Sequence, residues 1–407
     1  MAQPTPYDVA VIGGGLVGAA LGCALGGAGV RTAVVEAVPL GVAGQPSYDD
    51  RASAVAEGSR RILEGVGVWR EVQAVGAYPI RRIHVSDRGG FGKTRLEAAD
   101  SGLDAYGYVV ENRVLGGAFK AGLERGGAQV DLLAPARVEG LVQDAAGAVL
   151  RLDQGRELRA RLVVLADGGR SGLRERLGVP LAITEYGQTA VIANVSPARP
   201  HQDTAYERFT DSGPLALLPL GPRRCSLVWT VRSADAPALL ALDEAGFAAA
   251  LQARFGERLG RFERVGARAH YPLQRVVAGE PGRGRVVIIG NAAHSLHPVA
   301  GQGLNLGLRD AAVLAELVVD AQRAGRDVGG EALLEEFARW RRLDQWAVSG
   351  FTDALVRVFS TPFPPLAHAR GLGLLALDLL PPLKRTLSRQ AMGLSGRLPR
   401  LARGLPL

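Results

Sequence analysis

The stretch from Tyr7 to Glu36, YDVAVIGGGLVGAALGCALGGAGVRTAVVE, leaves few folds open to the chain. Asp8 to Ile12 is a short apolar run that suits a buried parallel strand. Gly13, Gly15 and Gly18 then fall on GxGxxG spacing, and an Ala/Leu/Gly-rich segment reads as a close-packed helix. Each glycine answers a different need: Gly13 a tight turn, Gly15 the approach of backbone to a pyrophosphate, Gly18 the contact of helix with sheet. Thr32 to Val35 is a second apolar strand. It ends in Glu36, 18 residues after Gly18, near the roughly 20 at which an acid meets a ribose hydroxyl. GxGxxG alone is a weak signal. Strand, glycines, helix, strand and acid in this order make a dinucleotide site the expectation, with an unliganded Gly-rich helix as the lesser reading.

With 407 residues the chain exceeds what one core usually covers, so two domains or one composite domain are expected. A composition of 47% hydrophobic and 22% charged residues marks it as globular. Cys23 and Cys225 are too few for a disulfide framework and lack metal-ligand company, so both read as packing residues in a reducing compartment. No basic region precedes the first apolar stretch, which the nucleotide unit explains, so no secretory leader is expected. The net charge of +8 invites a nucleic-acid reading. The basic residues are mostly arginines scattered singly among apolar ones, without the aromatic-interleaved patch of single-strand binders. An anionic cofactor or an acidic membrane surface is the better use of this charge, and no nucleic-acid partner is expected.

Pro39 to Asp50 reads as an exposed loop, and Arg51 to Trp69 as a helix with Ile62, Leu63 and Val66 as its apolar positions. Ile80 to Ser86 alternates like a half-buried strand. Gly89, Gly90 and Gly92 suggest a hairpin before Tyr106 to Val110, the start of an inserted antiparallel sheet. Glu111, Asn112 and Arg113 open a helix. Short strands follow at Val130 and Leu132 to Leu133, Val138 to Val142 and Val149 to Leu152, and Arg161 to Leu165 feeds Asp167-Gly168. A strand ending in Asp-Gly sets a carboxylate at the carboxyl edge of a sheet, where open α/β folds bind ligands; taken alone, the pair is most often a turn. Glu185 to Trp229 is antiparallel again. Leu239 to Phe255 reads as one amphipathic helix and His270 to Gln274 as the return to the first domain.

The most specific stretch places a strand, Val286 to Ile289, before Gly290-Asn291, then a loop punctuated by Gly301 and Gly303, then a long helix from about Leu304. Such a loop lets backbone N–H groups approach an anionic group at a helix N-terminus. His294 and His297 stand three apart, but no cysteine or carboxylate joins them, so no metal is expected. Phe351 to Leu383 is leucine-rich and broken by prolines. Beyond Asp378 there is no acid, while Lys384, Arg385, Arg389, Arg397, Arg400 and Arg403 are basic. Gly371 to Leu383 falls short of the roughly 20 residues a spanning helix needs. A peripheral contact with anionic lipid or a partner, and a helix covering the core with a solvated basic face, both remain open.

With these stretches in order, the chain resembles the class A flavoprotein aromatic hydroxylases, the group around para-hydroxybenzoate hydroxylase. Within them it looks most like the ubiquinone-biosynthesis branch acting on polyprenylated phenols. The likeness spans nearly the whole chain. It is carried by Gly13-Gly15-Gly18 with Glu36, by Asp167-Gly168, and by Gly290-Asn291 with His297-Pro298 and Gly301-Gln302-Gly303. More specific to the branch are GPLALLPL from Gly213, GQGLNLGLRD from Gly301 and AMGLSGRLPRLARG from Ala391.

The resemblance implies an α/β fold in which a Rossmann-like FAD-binding domain (residues 1–77, 111–184 and 271–350) is interleaved with an antiparallel-sheet substrate domain (78–110 and 185–270), followed by C-terminal helices (351–407). It implies FAD held by Gly13, Gly15, Gly18, Glu36, Arg51, Arg113, Asp167, Gly168, Gly290, Asn291, Gly303, Leu304 and Asn305, with NAD(P)H as reductant and O2 as co-substrate. The wider class has Gly-Asp where this chain has Gly290-Asn291, which keeps the hydrogen-bonding reach and loses the charge. No second GxGxxG unit is visible, so the nicotinamide nucleotide is expected to bind transiently in a groove. Pro298, Gly301 and Gln302 would face the flavin ring, where a C4a-hydroperoxide gives up its distal oxygen to an electron-rich phenol.

No acid or base is assigned, because His294, Tyr186 and Tyr206 belong to no motif that needs them and read as structural. Leu215, Leu217, Leu218, Pro219 and Trp229 are expected to wall an apolar pocket for an isoprenoid-bearing ring. A lipid-soluble phenol, a ubiquinone-biosynthesis complex and a cytoplasmic location with peripheral membrane contact through the basic tail are the partners and place this implies. The competing functions are hydroxylation or epoxidation of another aromatic, polyketide or isoprenoid by the same fold, and a FAD-binding scaffold subunit.

Overall fold

The structure is a computed structural model that describes residues 7–41, 51–295, 301–360 and 364–407. The opening unit is β1 (Tyr7–Ile12), α1 (Leu16–Gly27) and β2 (Thr32–Val35), with β1 and β2 parallel and Ile12 opposite Val35. Small residues let α1 lie close to its surroundings. A Cβ at Gly26 would stand 2.3 Å from Val130 Cγ2, and one at Gly22 would stand 2.8 Å from both Leu123 and Val34.

The helix expected from Arg51 begins later. Ala52–Ala56 is a strand, β3, and α2 runs over Glu57–Gly65. Ala-Ser-Ala-Val-Ala carries no helical stripe, and antiparallel pairing with a later strand decides its conformation. After α3 (Trp69–Val75) and β4 (Tyr78–Pro79), β5 (Arg82–Asp87) and β6 (Lys93–Glu97) form the expected hairpin. β7 (Gly107–Glu111) leaves that hairpin and joins β3 and β4 in a three-stranded sheet.

α4 (Asn112–Arg125) leads back to β8 (Val130–Leu133), which lies beside β2. β9 (Val138–Asp144) and β10 (Gly147–Leu152) extend the sheet antiparallel from β11 (Glu157–Leu165), and β11 runs parallel to β1. A four-residue helix, α5 (Leu173–Arg176), precedes the second large sheet. Its strands are β12 (Leu181–Pro197), β13 (Thr204–Thr210), β14 (Gly213–Pro219) and β15 (Cys225–Arg232). The segment read as one helix is two, α6 (Ala236–Leu240) and α7 (Glu244–Phe255), because Asp243 caps α7 by accepting the Gly246 N–H at 2.7 Å.

β16 (Phe262–Val265) follows, and β17 (Ala269–Ala278) does not return to the first domain: it pairs along β12 from Leu181 to Ile192. β18 (Gly282–Arg283) and β19 (Val286–Ile288) complete the first sheet, and β20 (His294–Ser295) belongs to the second. The chain between β19 and β20 therefore bridges the sheets, just ahead of α8 (Gln302–Arg323). The sheet orders are β18-β19-β11-β1-β2-β8, with β10 and β9 off β11, and β20-β17-β12-β15-β14-β13-β5-β6, with β16 off β12. This is the expected α/β architecture, with a second sheet that is antiparallel except where β13 runs parallel to β5.

α9 (Glu331–Ser360), α10 (Pro364–Leu379) and α11 (Pro381–Ala391) finish the chain. α10 docks on β6. Leu374 O accepts the Thr94 hydroxyl at 2.7 Å, Asp378 Oδ1 accepts the Arg95 N–H at 2.8 Å, and a Cβ at Gly92 would stand 2.5 Å from Gly371 O. The backbones of Gly92 and Gly371 touch because neither residue has a side chain.

Candidate active site

A cavity of about 1310 Å3 runs from the end of β1 past the start of α8 to the second sheet and the tail helices. That exceeds the ~300–1,000 Å3 of a typical single-ligand pocket and is room for a cofactor and a substrate together. At its nucleotide end Gly13 has φ +105°, and a Cβ there would meet Ala166 O at 2.6 Å. One at Gly18 would meet Gly13 O at 1.9 Å, so the glycine turn and α1 fit only without side chains. α1 starts at Gly15 with no side-chain cap and no acid in its first turn. Its uncapped N–H groups are the donors a pyrophosphate takes. Glu36 lines the same end, and its two oxygens accept the Gly14 N–H at 2.7 Å and the Val38 N–H at 3.0 Å.

Asp167 and Gly168 also line the cavity. The Asp167 carboxylate accepts the Gly169 N–H at 2.9 Å and the Ser171 N–H at 2.7 Å, so it shapes its own loop. Buried Arg174 ties that loop to the next, donating to Ala292 O at 2.9 Å. Of the Gly290-Asn291 pair, Asn291 faces the cavity, whereas Gly290 packs on α1 with Val17 Cγ1 3.2 Å from the position of a Cβ.

Gly301, with φ +60°, caps α8, and Gln302, Gly303, Leu304 and Asn305 follow it along the cavity wall. The Asn305 side chain is a strut: its oxygen accepts the Ala56 N–H at 2.9 Å and its nitrogen donates to Ala54 O and Gly301 O at 2.8 and 2.9 Å. Arg51 lines the cavity with its guanidinium 5.1 Å from the Tyr271 ring centre. Arg113 stands outside the lining, exposed and paired with Glu111. Pro298 and His297 lie outside the described residues.

Behind this loop is a charged network that the sequence did not reveal. Fully buried Asp310 on α8 stands 2.6 Å from His294 Nε2 and 2.7 Å from Arg341 Nε, and it accepts the Gly290 N–H at 3.2 Å. Burial would raise the Asp310 carboxyl. The His294 and Arg341 charges outweigh that and hold it below the usual carboxylate range. Arg341 also grips Asp344, which grips Arg309, and Arg309 bonds Gly393 O in the tail. The Arg309-Asp310 pair of GQGLNLGLRD thus fastens the loop to α9 and the C-terminal segment. His294, one of the histidines weighed as a metal ligand, is a member of this network.

At its inner end the cavity turns apolar. Thr94, Val85, Glu207, Ala216, Val228 and Ile192 lie opposite one another across β6, β5, β13, β14, β15 and β12, and all six face the cavity. Leu218 faces the same way, and Leu374 and Leu377 of α10 close the chamber. Of the expected pocket wall only Leu218 faces the cavity. Leu215, Leu217 and Trp229 occupy the other face of the sheet, packed beneath α7 with the Trp229 and Phe247 rings 5.6 Å apart, and Pro219 continues that face. One face of β14 is buried under α7 and the other, partly exposed, lines the apolar chamber, so its residues are apolar throughout and carry no period-two signal. Tyr206 packs its ring 5.5 Å from Phe255 at the cavity edge, and Tyr186 sits in a bulge of β12 away from the lining.

The family described as FAD binding domain matches residues 6–352. The chain belongs to this family of FAD-dependent monooxygenases. Ubiquinone hydroxylase UbiL of Rhodospirillum rubrum is 44% identical over 98% of this chain and 93% of its own length. The 3-demethoxyubiquinol 3-hydroxylase of Escherichia coli is 33% identical over 96% of this chain and 99% of its own. The solved p-nitrophenol 4-monooxygenase of Pseudomonas putida superposes with a TM-score of 0.78 at 22% identity, covering 97% of this chain and 100% of that one, and so shares the fold. FAD is the cofactor of this monooxygenase, with NAD(P)H as reductant and O2 as co-substrate. The glycine cradle at Gly13 and Gly18 and the uncapped starts of α1 and α8 fit that cofactor.

Proposed function

We propose that this monooxygenase hydroxylates the aromatic ring of a polyprenylated phenol in ubiquinone biosynthesis. The observation that carries the reading is α10. Leu374 and Leu377 line the cavity, while Leu372, Leu375 and Leu379 on the same helix are 60%, 39% and 66% exposed. One helix separates an apolar chamber from an apolar outer surface, which suits a ring with a long isoprenoid tail; a small water-soluble acid needs neither. The relatives named for ubiquinone and demethoxyubiquinol agree with this substrate class.

Bound FAD, reduced by NAD(P)H, supplies activated oxygen. The chain orients the ring against the start of α8, offers the first N–H groups of α8 to negative charge at the flavin, and excludes water with its tail helices. Pro298, Gly301 and Gln302 are the proposed flavin-facing residues, and Asn291 a ribityl contact. The test is the reduced holoenzyme mixed with oxygen and a short-prenyl phenol. A product heavier by one oxygen supports the reading; flavin that reoxidises without hydroxylating any prenylated phenol ends it.

No helix among the described residues is long and apolar enough to cross a membrane. The outer face of α10 continues through exposed Leu380 and Leu383 to exposed Arg385 and Arg389. We assign it to an anionic membrane surface, with leucines entering the interface and arginines meeting the headgroups. Flotation with anionic liposomes should carry the wild-type chain and leave behind a Leu372→Ser, Leu379→Ser double variant; equal flotation of the two removes this contact.

A further inference from the structure

The row of six residues that crosses the second sheet contains two polar side chains. The Thr94 hydroxyl is spent on Leu374 O at 2.7 Å. Glu207 is different: among the described residues its carboxyl has no hydrogen bond and no ion pair. Its cross-strand neighbours are Val85 and Ala216, and Phe209, two residues on, packs with Val85 and Leu374. The side chain is only partly buried and opens on the chamber, so it receives no partner from the protein and gives up its water when a ligand fills the space, which calls for a partner from the ligand. An ordinary solvated strand acid would point to the outer face, where His84, Arg95, Lys93 and Arg208 lie.

To the ionised carboxylate the matching ligand group is a hydrogen-bond donor and not an anion, since a substrate carboxylate beside it would meet like charge. A phenolic hydroxyl meets both conditions. We propose that Glu207 anchors the substrate ring, its carboxylate accepting the hydrogen bond of the phenolic hydroxyl and so fixing which ring carbon is turned to the flavin. This rests on the phenol reading above and deepens it: the chamber selects a neutral phenol over an aromatic acid.

Among the described residues the charged neighbours do not supply another partner. Arg370 of α10 lines the chamber and is engaged with Asp87 at the end of β5, 3.2 Å away. His84 and Arg208 are on the far side of β5 and β13, Arg95 and Lys93 on the far side of β6, and the β14 neighbours of Glu207 are apolar. Burial alone pushes the Glu207 carboxyl up to about 7. The group therefore exchanges a strong acceptor for a protonated form near neutral pH, and affinity for the phenol should weaken as pH falls through that value.

The experiment uses the oxidised holoenzyme, a phenol bearing one short prenyl chain, and its O-methyl ether, which lacks the donor. Dissociation constants come from the perturbation of the flavin absorption band between about pH 6 and about pH 8. Wild type should prefer the phenol about tenfold, with the preference falling at low pH. Glu207→Leu should keep its flavin and its affinity for the ether and lose the preference. Glu207→Gln, which keeps an acceptor oxygen, should retain part of the preference and lose its pH dependence. A wild type that binds both compounds equally, a Leu variant that still discriminates, or an unchanged pH dependence in the Gln variant overturns the anchor while prenylated ligands still bind. Failure of wild type to bind either compound overturns the anchor and the substrate reading together.

Discussion

Asp310 and His294 face each other at 2.6 Å across the junction of the two sheets, with Arg341 completing the contact at 2.7 Å on the other carboxylate oxygen. The Asp310 carboxyl is held below its ordinary range in the folded chain. Its stabilising contribution is therefore present above the ordinary carboxylate pKa and is lost as pH falls toward the folded value. Asp310→Asn leaves Arg341 buried with half its partners and should cost about 3–5 kcal/mol at neutral pH. The difference from wild type should shrink in acid. Urea denaturation of both proteins at neutral and acid pH checks this, and parallel stability curves with no gap at neutral pH would contradict it.

Two glycines should respond in opposite directions to alanine. At Gly13 the backbone is left-handed and a Cβ would strike Ala166 O at 2.6 Å, so Gly13→Ala should cost about 2–4 kcal/mol and lower the flavin content of purified protein. Exposed Gly117 in α4 has nothing within 4 Å of a Cβ, and Gly117→Ala should stabilise by about 0.5–1 kcal/mol. Melting curves and flavin absorbance together read both effects.

Neighbours on β14 should also separate. Leu217 is fully buried under α7, and Leu217→Ala should cost about 2–5 kcal/mol while leaving the KM for a prenylated phenol nearly unchanged. Ala216 faces the chamber, so Ala216→Phe fills ligand space and should raise that KM several-fold with little loss of stability. Steady-state kinetics beside thermal melts decide it; matched effects at both positions would contradict the assignment of faces.

Burial pushes the Cys23 and Cys225 thiols up to about 12. With so little thiolate at neutral pH, neither should react with iodoacetamide in the native chain, and both should react after unfolding. Mass spectrometry of labelled protein counts the adducts.

The nucleotide half was legible because its signals are local: Gly13, Gly15, Gly18 and Glu36 lie within one βαβ unit, where spacing alone dictates geometry. Asp167 was legible for the same reason, as the end of an apolar strand. The second sheet was legible as a sheet but not in its facing, since Leu215, Ala216, Leu217 and Leu218 are all apolar and only long-range packing assigns them to α7 or to the chamber. β3 was misread because Ala52 to Ala56 gains its strand from a partner more than fifty residues away. Glu207 in YERF looks like one acid on a solvated strand face, and nothing adjacent in sequence announces the chamber. The partners of Asp310 lie 16 residues before it and 31 after it, beyond any motif spacing.

The backbone contact of Gly92 with Gly371 makes the last helices part of the chamber itself. One wall of the substrate space is therefore a continuous C-terminal segment, while the cofactor elements lie in earlier parts of the chain. Preference for the isoprenoid tail can be recast by exchanging residues 364–391 as a single cassette, without disturbing the machinery that reduces the flavin. A cut at residue 360 is a different operation: it also removes Gly393, which holds Arg309, and takes Leu401 and Ala402 out of the nucleotide-side core, so it should cost the fold and its flavin as well as the chamber wall.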